Sequence, residues 1–182
     1  MDFERLSIPD VILFRPKVFG DQRGFFLESW NHQKLKDFGL EVDFVQDNHS
    51  RSARYILRGL HYQLQNTQGK LVRVTRGAVF DVAVDIRRSS CTFGQWVGVE
   101  LSEANNHMLW VPPGFAHGYL ALSESADFLY KCTEYYSPAY ERTILWDDPQ
   151  IGVAWPLPQG VRPFLSSKDA EGLSFQASET FP

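Results

Sequence analysis

The sequence predicts an all-β protein, in which short antiparallel strands form a barrel or sandwich and only a few short helices are present. Aromatic residues, whose flat rings pack well on pleated sheets, make up 14% of the 182 residues. Ala78–Ile86 (AVFDVAVDI) alternates between an apolar face and a face with two aspartates. Similar short segments recur with turns between them, which is typical of barrels and sandwiches. The length and the hydrophobic content of 43% predict one domain, 1–182.

The N-terminal part of the chain predicts two strands and one helix. Val11–Phe14 is a short apolar run that Pro16 ends, and Gly24–Ser29 (GFFLES) is a second strand candidate. Asn31–Phe38 (NHQKLKDF) is the strongest helix candidate, because Gly39 follows it as a C-terminal stop.

The segment Leu57–Val74 (LRGLHYQLQNTQGKLVRV) predicts two strands that carry His61 and Lys70. These two residues are either ordinary surface residues or face a cavity with a polar ligand, because they cannot be buried without partners. Arg58 lies three positions before His61, so a regular strand would point the two side chains to opposite faces. Gly59 between them allows a bulge that re-aims one of them. Without a bulge, Arg58 serves the other side of the strand, for example a subunit interface.

The second half of the chain predicts further short strands followed by an irregular tail. From Asp147 onwards the chain is rich in Pro and Gly and reads as loops plus a packed tail, which contains Leu165–Asp169 (LSSKD). The strand candidates before it are Trp96–Leu101, Met108–Val111, His117–Leu122 and Phe128–Glu134.

Composition and charge exclude several classes of function. The net charge is −4 and there is no run of Lys or Arg, so we expect no nucleic-acid partner, although a local basic cluster could bind a small anion. No stretch approaches the roughly 18 apolar residues of a membrane span, and MDFERLSIPD is not a signal peptide. Cys91 and Cys132 alone suggest neither a zinc site nor a disulfide framework. We therefore expect a cytoplasmic protein.

The segment Val111–Leu120 (VPPGFAHGYL) has a Pro-x-Gly-x-x-His spacing that resembles the second motif of cupin barrels. In metal-dependent cupins this histidine, here His117, is a ligand together with an H-x-H pair and a carboxylate. The matching stretch, His61 to Gln63 (HYQ), lacks the second histidine, and zinc or iron sites need at least three good ligands. The sequence therefore favours a metal-free cupin-type antiparallel β-barrel (jelly roll), with a metal-dependent cupin oxygenase as the alternative.

Three tyrosines lie close together in Asp127–Arg142 (DFLYKCTEYYSPAYER). Tyr130, Tyr135 and Tyr136 could donate a proton or offer a flat face for stacking, and they could equally fill a core. Two other segments, DQRGFFLES and QDNHS, offer polar candidates that are individually weak: Arg23, Glu28, Gln46, Asp47 and Asn48.

Taken together, these stretches closely resemble the dTDP-4-dehydrorhamnose 3,5-epimerase family, which are metal-free cupins of deoxysugar-nucleotide biosynthesis. The resemblance runs from about Asp21 to Asp169. The stretches that carry it, in order, are DQRGFFLES, QDNHS, LRGLHYQ, GKLVRV, GAVFDVAVDIR, LWVPPGFAHGYL, LYKCTEYY, LWDDP, IGVAWP and LSSKD.

The resemblance implies a role for each candidate residue. His61 is expected to be the general base with Asp169 as its carboxylate partner, Tyr130 the general acid, and Lys70 the cation that stabilises an enolate oxygen. Tyr136 is expected to stack on thymine. The expected nucleotide-sugar contacts are Arg23, Glu28, Gln46, Asp47, Asn48, Arg58, His117, Glu141 and Lys168. No metal and no cofactor are implied, and members of the family are usually homodimers in which one subunit helps to complete the other's site.

The implied substrate is dTDP-4-dehydro-6-deoxy-D-glucose, in which the C4 ketone acidifies the hydrogens at both C3 and C5. Inversion then needs a base on one face of the sugar, a proton donor on the other and no redox cofactor. Two related possibilities stay open: an enzyme of the same fold that inverts only C3 or only C5 or acts as a 3,4-ketoisomerase, and a non-catalytic module that binds a nucleotide sugar.

Overall fold

The computed structural model describes residues 1–182 and consists mainly of antiparallel strands. The helices are α1 (His32–Asp37) and α2 (Ser167–Ala170), and two short 3₁₀ turns lie at Pro138–Tyr140 and Phe175–Ala177. The strands are β1 (Asp2–Arg5), β2 (Ile12–Arg15), β3 (Val18–Asp21), β4 (Gly24–Leu27), β5 (Gln46–Ala53), β6 (Leu57–Gln63), β7 (Lys70–Arg76), β8 (Ala78–Asp85), β9 (Trp96–Ser102), β10 (Met108–Val111), β11 (Phe115–Ala121), β12 (Ser125–Cys132) and β13 (Glu141–Thr143).

Two sheets face each other and enclose the main core. One sheet has the strand order β1-β2-β10-β7-β12-β5, and the other has the order β13-β6-β11-β8-β9, with antiparallel pairing throughout. This arrangement confirms the predicted all-β, cupin-type barrel with few short helices. Strands β3 and β4 pair only with each other, and this hairpin is called the arm below.

The alternation predicted for β8 is confirmed, and both of its faces are buried. Val79 and Ala83 point between the sheets, where they pack in the core with Phe128 of β12. Val82 and Val84 point away from the barrel interior, into a second cluster that the C-terminal segment completes. The irregular tail therefore packs on the five-stranded sheet, as the sequence led us to expect.

The predicted helix is confirmed almost to its ends. Asn31 is the N-cap of α1 and accepts a hydrogen bond from the Lys34 N–H, and Gly39 follows the helix with a φ of +93°. The residues after the helix then cover the outer face of the six-stranded sheet, where Phe38 and Phe44 pack against Trp110 and its neighbours. None of the helices has the length and apolar character that crossing a membrane requires.

A bulge interrupts the pairing of β6 with β11. His61 lies opposite His117 and Arg58 lies opposite Tyr119, so β6 spans three residue steps where β11 spans two. Gly59 has a φ of +131°, and a Cβ on it would lie 2.5 Å from the Cα of Gly118. Only glycine fits this close approach of two backbones. The bulge that the sequence suggested at Gly59 is thus confirmed.

Candidate active site

A cavity of about 340 Å³ lies between the two sheets, and most of the predicted site residues line it. Because of the bulge, Arg58 and His61 reach the same cavity although they lie three positions apart. The lining residues are Gln46, Asn48, Ser50, Arg58, His61, Gln68, Lys70, His117, Gly118, Tyr119, Phe128, Tyr130, Tyr136, Glu141 and Lys168.

His61 forms a dyad with Asp169, which lies immediately behind it. The imidazole Nε2 is 2.6 Å from Oδ1 of the buried Asp169, and Oδ1 also accepts the N–H of Gly59. Burial alone would raise the pKa of Asp169, but the hydrogen bonds from His61, Ser166 and Gly59 hold it well below its usual range. An ionised Asp169 accepts the Nε2–H, so the Nδ1 lone pair is free of protein partners.

Burial lowers the pKa of His61, and the hydrogen bond with Asp169 offsets only part of this effect. Lys168 and Lys70 lower it further, because their positive charges disfavour an imidazolium. The imidazole is therefore neutral near pH 7 and can accept a proton.

Lys70 places an ammonium in the cavity that makes no hydrogen bond or ion pair with the protein. It begins β7, opposite Cys132 of β12, and its Nζ lies 6.0 Å from the ring centroid of Tyr130. Burial lowers the pKa of Lys70. A partly buried cation without a protein partner is available to an oxygen of a ligand.

Tyr130 reaches the cavity from β12 in the six-stranded sheet, whereas His61 comes from β6 in the other sheet. Burial raises the pKa of Tyr130 to about 12, so its phenol carries its proton throughout the neutral range. A proton acceptor and a proton donor thus enter the cavity from its two opposing walls.

A second histidine–carboxylate pair lies beside the first. His117 is opposite His61, and its Nε2 is 3.0 Å from both oxygens of the fully buried Asp81. The His117 ring stacks near Phe128, with 6.1 Å between the ring centroids. Sequence reasoning missed Asp81 as a site residue, although the alternation of β8 had already placed it on the face of Ala83.

Tyr136, Glu141 and Lys168 are linked at the rim of the cavity. The Tyr136 hydroxyl donates to Glu141 Oε2 and the Lys168 ammonium donates to Glu141 Oε1, both at 2.8 Å. The main-chain N–H of Tyr136 donates to Gln46 Oε1 at 2.9 Å. The ring of Tyr136 is half exposed and can take a flat ligand on its open face.

A network of hydroxyl groups orients Arg58 in the wall of the cavity. Its Nε donates to the Oγ of buried Ser52 at 3.1 Å, and the Tyr119 hydroxyl is within hydrogen-bonding distance of both Ser52 and Ser50. Sequence reasoning missed Ser50 and Tyr119, yet Ser50 lies two positions after Asn48 on an alternating strand. Strand alternation alone would have placed Ser50 on the same face as Asn48.

Three predicted contacts lie outside the cavity of their own subunit. Arg23 is in the arm and pairs with Asp21, and Glu28 follows the arm and accepts from Lys34 at 2.6 Å. Asp47 lies on the face of β5 opposite to Gln46 and Asn48, and it pairs with Lys131 of β12 at 3.0 Å. These three residues therefore do not line the cavity of a single subunit, because strand alternation turns Asp47 outward and the arm pairs with no other strand. That they contact the substrate stays a prediction.

The described residues contain no group of three or more His, Cys, Asp and Glu side chains arranged to hold a metal ion. The two cavity histidines are each paired with their own aspartate. Cys91 is exposed and Cys132 buried, and both are free thiols.

Comparisons with known proteins find related sequences and structures. A family model described as dTDP-4-dehydrorhamnose 3,5-epimerase matches residues 5–177. A curated dTDP-4-dehydrorhamnose 3,5-epimerase from Pseudomonas aeruginosa is 57% identical over 183 residues, which covers all of both chains. The enzyme of that name from Salmonella typhimurium is 60% identical over 168 residues, or 91% of each chain.

A solved structure shares the fold. The dTDP-6-deoxy-D-glucose-3,5-epimerase from Legionella pneumophila, crystallised with dTDP-4-keto-L-rhamnose, has a TM-score of 0.94 and 50% sequence identity. The match covers 98% of this chain and 94% of that one.

Proposed function

The chain belongs to the dTDP-4-dehydrorhamnose 3,5-epimerase family, and from this we propose that it converts dTDP-4-dehydro-6-deoxy-D-glucose to dTDP-4-dehydro-L-rhamnose. One observation carries the proposal. A neutral imidazole backed by a carboxylate and a protonated phenol enter one cavity from opposing sheets, beside a cation that has no protein partner. Epimerisation next to a ketone needs this combination of groups.

In the proposed mechanism His61 removes the hydrogen from C3 or C5. The carboxylate of Asp169 fixes the tautomer with Nε2 protonated, so Nδ1 accepts the proton, and the same carboxylate stabilises the imidazolium that forms. A well-placed base of this kind contributes roughly 10²–10⁴-fold to the rate.

Lys70 is the group that we propose to stabilise the enolate. Both deprotonations leave negative charge on the C4 oxygen, and an ammonium interacts more strongly with an enolate than with a ketone. Because Lys70 makes no hydrogen bond or ion pair with the protein, its ammonium is free to interact with that oxygen. Donors of this kind contribute roughly 10²–10³-fold elsewhere.

Tyr130 then delivers a proton to the opposite face of the same carbon. Its high pKa keeps the phenol protonated, and the developing enolate provides a basic carbon to receive the proton. His61 and Tyr130 stand on different sheets, so inversion follows from their placement.

We propose that the nucleotide binds towards the rim. Arg58 and Lys168 are cations on the cavity wall, and a guanidinium fits phosphate oxygens well. Tyr136 offers its open face to the thymine ring. Gln46, Asn48, His117 and Glu141 provide polar contacts between these two regions.

The working form that we propose is a homodimer. The arm pairs with no other strand of its own subunit and exposes Phe19, Phe25 and Phe26. Strand β5, which carries Gln46 and Asn48, is a free edge of the six-stranded sheet beside the cavity. An arm from a second copy can pair with such an edge and cover its own apolar side chains. This placement would bring Arg23 and Glu28 to the partner's cavity.

We propose further that residues 1–182 act as one domain and that the protein works in the cytoplasm. Both sheets contribute residues to the cavity, so no smaller part of the chain would hold the complete site. Two free cysteines fit a reducing compartment.

The test is to incubate the protein with dTDP-4-dehydro-6-deoxy-D-glucose in D₂O, with a chelator present, and to follow the ring hydrogens by NMR. We expect deuterium at both C3 and C5 and a product inverted at both carbons. Exchange at only one carbon would identify a single-site epimerase, and dTDP binding without exchange would identify a binding module. Activity that returns only with added metal would contradict the metal-free mechanism.

The decisive variant is His61→Ala, for which we expect no exchange at either carbon while dTDP still binds. Alanine removes the only group that we assign as base. His32→Ala, at a partly exposed histidine of α1 outside the cavity, is the matched control and should retain full activity. Turnover of His61→Ala near the wild-type rate would show that the base is another residue.

A further inference from the structure

Asp169 belongs to the last short helix, and its second oxygen is held by the residue that caps this helix. The Ser166 hydroxyl donates to Asp169 Oδ2 at 2.6 Å, and the Ser166 N–H reaches the same oxygen at 3.3 Å. In return, Ser166 Oγ accepts the N–H of Asp169 at 3.2 Å. The pair forms a reciprocal capping box, in which an aspartate takes the place of the usual Glu or Gln.

The carboxylate of Asp169 thus holds both the imidazole of His61 and the N-cap of α2. Oδ1 takes the imidazole of His61 and the N–H of Gly59, while Oδ2 is occupied by Ser166 alone. Rotation of the carboxylate away from His61 would break hydrogen bonds on both sides at once.

We propose that Ser166 is a positioning residue of the reaction, which fixes the carboxylate of Asp169 in the orientation that holds and polarises His61. This inference rests on the proposed function, in which His61 is the base. Ser166 does not line the cavity, so it acts through Asp169 and not on the substrate. A residue that acts in this way should affect kcat and leave KM unchanged.

Three of the other charged or titratable groups near His61 lie on strands that Ser166 does not cap. The fourth, Lys168, lies on α2 and is held to Glu141 of β13 by an ion pair. A shift in the titration of His61 on a change at Ser166 is therefore expected to arise mainly through Asp169. The four groups are Lys70 on β7, Lys168 on α2, Glu141 on β13 and His117 on β11.

Three variants separate positioning from simple helix capping. Ser166→Thr keeps the hydroxyl and should keep kcat. Ser166→Ala removes it, and we expect kcat to fall roughly 10–100-fold with KM unchanged, the range found when a group that orients a functional ligand is lost. Ser166→Asp caps a helix as well as serine does, but it places a second carboxylate beside Asp169. For this variant we expect a larger loss of kcat than for Ser166→Ala, and a raised pKa of His61.

The measurements are kcat and KM for each variant, dTDP affinity as a check of folding, and an NMR titration of the His61 imidazole in the ligand-free protein. Wild-type kcat and an unshifted His61 titration in Ser166→Asp would show that Ser166 only caps the helix. An effect of Ser166→Ala on KM alone would also overturn the proposal. The titration needs no substrate, so it decides the role of Ser166 even if the proposed reaction is wrong.

Discussion

His61, Lys70 and Tyr130 share a cavity in which burial favours the neutral form of each group. The pKa of His61 and that of Lys70 are lowered, while the pKa of Tyr130 is raised to about 12. His61 is therefore a ready acceptor near pH 7. Lys70 loses its charge at a lower pH than an exposed lysine does, well before Tyr130 ionises.

These directions predict the pH dependence of kcat/KM, which reports on the free enzyme. We expect the acid limb below the ordinary histidine value of 6.5, since a lowered pKa means that His61 protonates only at lower pH. The alkaline limb should lie below 10.5 and follow loss of the Lys70 charge. In Lys70→Arg, whose guanidinium does not deprotonate, residual activity should lack this limb. An alkaline limb that is unchanged in Lys70→Arg would assign it to another group.

Tyr130→Phe tests whether His61 only removes the proton and Tyr130 only donates one to the opposite face. His61 can still remove a hydrogen and return it from the solvent to the same face, so we expect deuterium exchange to continue. Inversion should fall by roughly 10²–10⁴-fold, because the opposite face has lost its donor. Tyr135→Phe, at an exposed tyrosine outside the cavity, is the matched control. Loss of exchange together with inversion would show that Tyr130 is more than the opposite-face acid.

Among the elements, the bulged strand β6 has the greatest effect on the site. Regular alternation would have sent Arg58 and His61 to opposite faces, and the extra residue at Gly59 turns both to the cavity. The N–H of the same glycine also donates to Asp169. One backbone irregularity therefore aligns a proposed phosphate ligand, the base and the partner of the base.

Gly59→Ala should damage both stability and activity. We expect the free energy of unfolding to fall by about 3 kcal/mol or more, because a strained backbone costs about 1–3 kcal/mol and the clash with Gly118 adds overpacking of similar size. Gly160→Ala is the control, since Gly160 also has a positive φ but open space around it. Urea unfolding and kcat/KM measure the two effects, and a Gly59→Ala protein with wild-type values would mean that the close approach is not rigid.

At the scale of the whole molecule, strand patterns and the family resemblance together predicted most of the residues that line the cavity. The strand pattern placed His61 and Lys70 on two neighbouring strands and left open whether they face a cavity, the resemblance implied that they do, and the glycine suggested the bulge. Ser166 and Asp81 were not predicted as site residues, because their importance arises from partners that are distant in sequence: Asp169 meets His61 across 108 positions and Asp81 meets His117 across 36. The destination of the arm could not be predicted either, since its strands look like any others in the sequence.

The arm can be tested through dimer formation, because its two exposed phenylalanines of β4 are unfavourable in water unless another surface covers them. We expect the wild-type protein to be a dimer by sedimentation and Phe26→Glu to shift it towards the monomer. Phe164→Glu is the matched control, since Phe164 is as exposed (67% against 69%) but lies far along the chain, outside the arm. If Phe26→Glu and Phe164→Glu show the same oligomeric state, the arm does not hold the dimer together.

Complementation shows whether the arm also completes the neighbouring cavity. Arg23→Ala and His61→Ala should each be nearly inactive alone. In a mixed dimer, the Arg23→Ala subunit retains His61 and receives an intact Arg23 from its partner, so one of the two cavities is complete. Co-refolding the two variants should therefore restore activity that neither shows alone. If Arg23 acted within its own subunit, each subunit would carry one defect in its own cavity, and mixing would restore nothing.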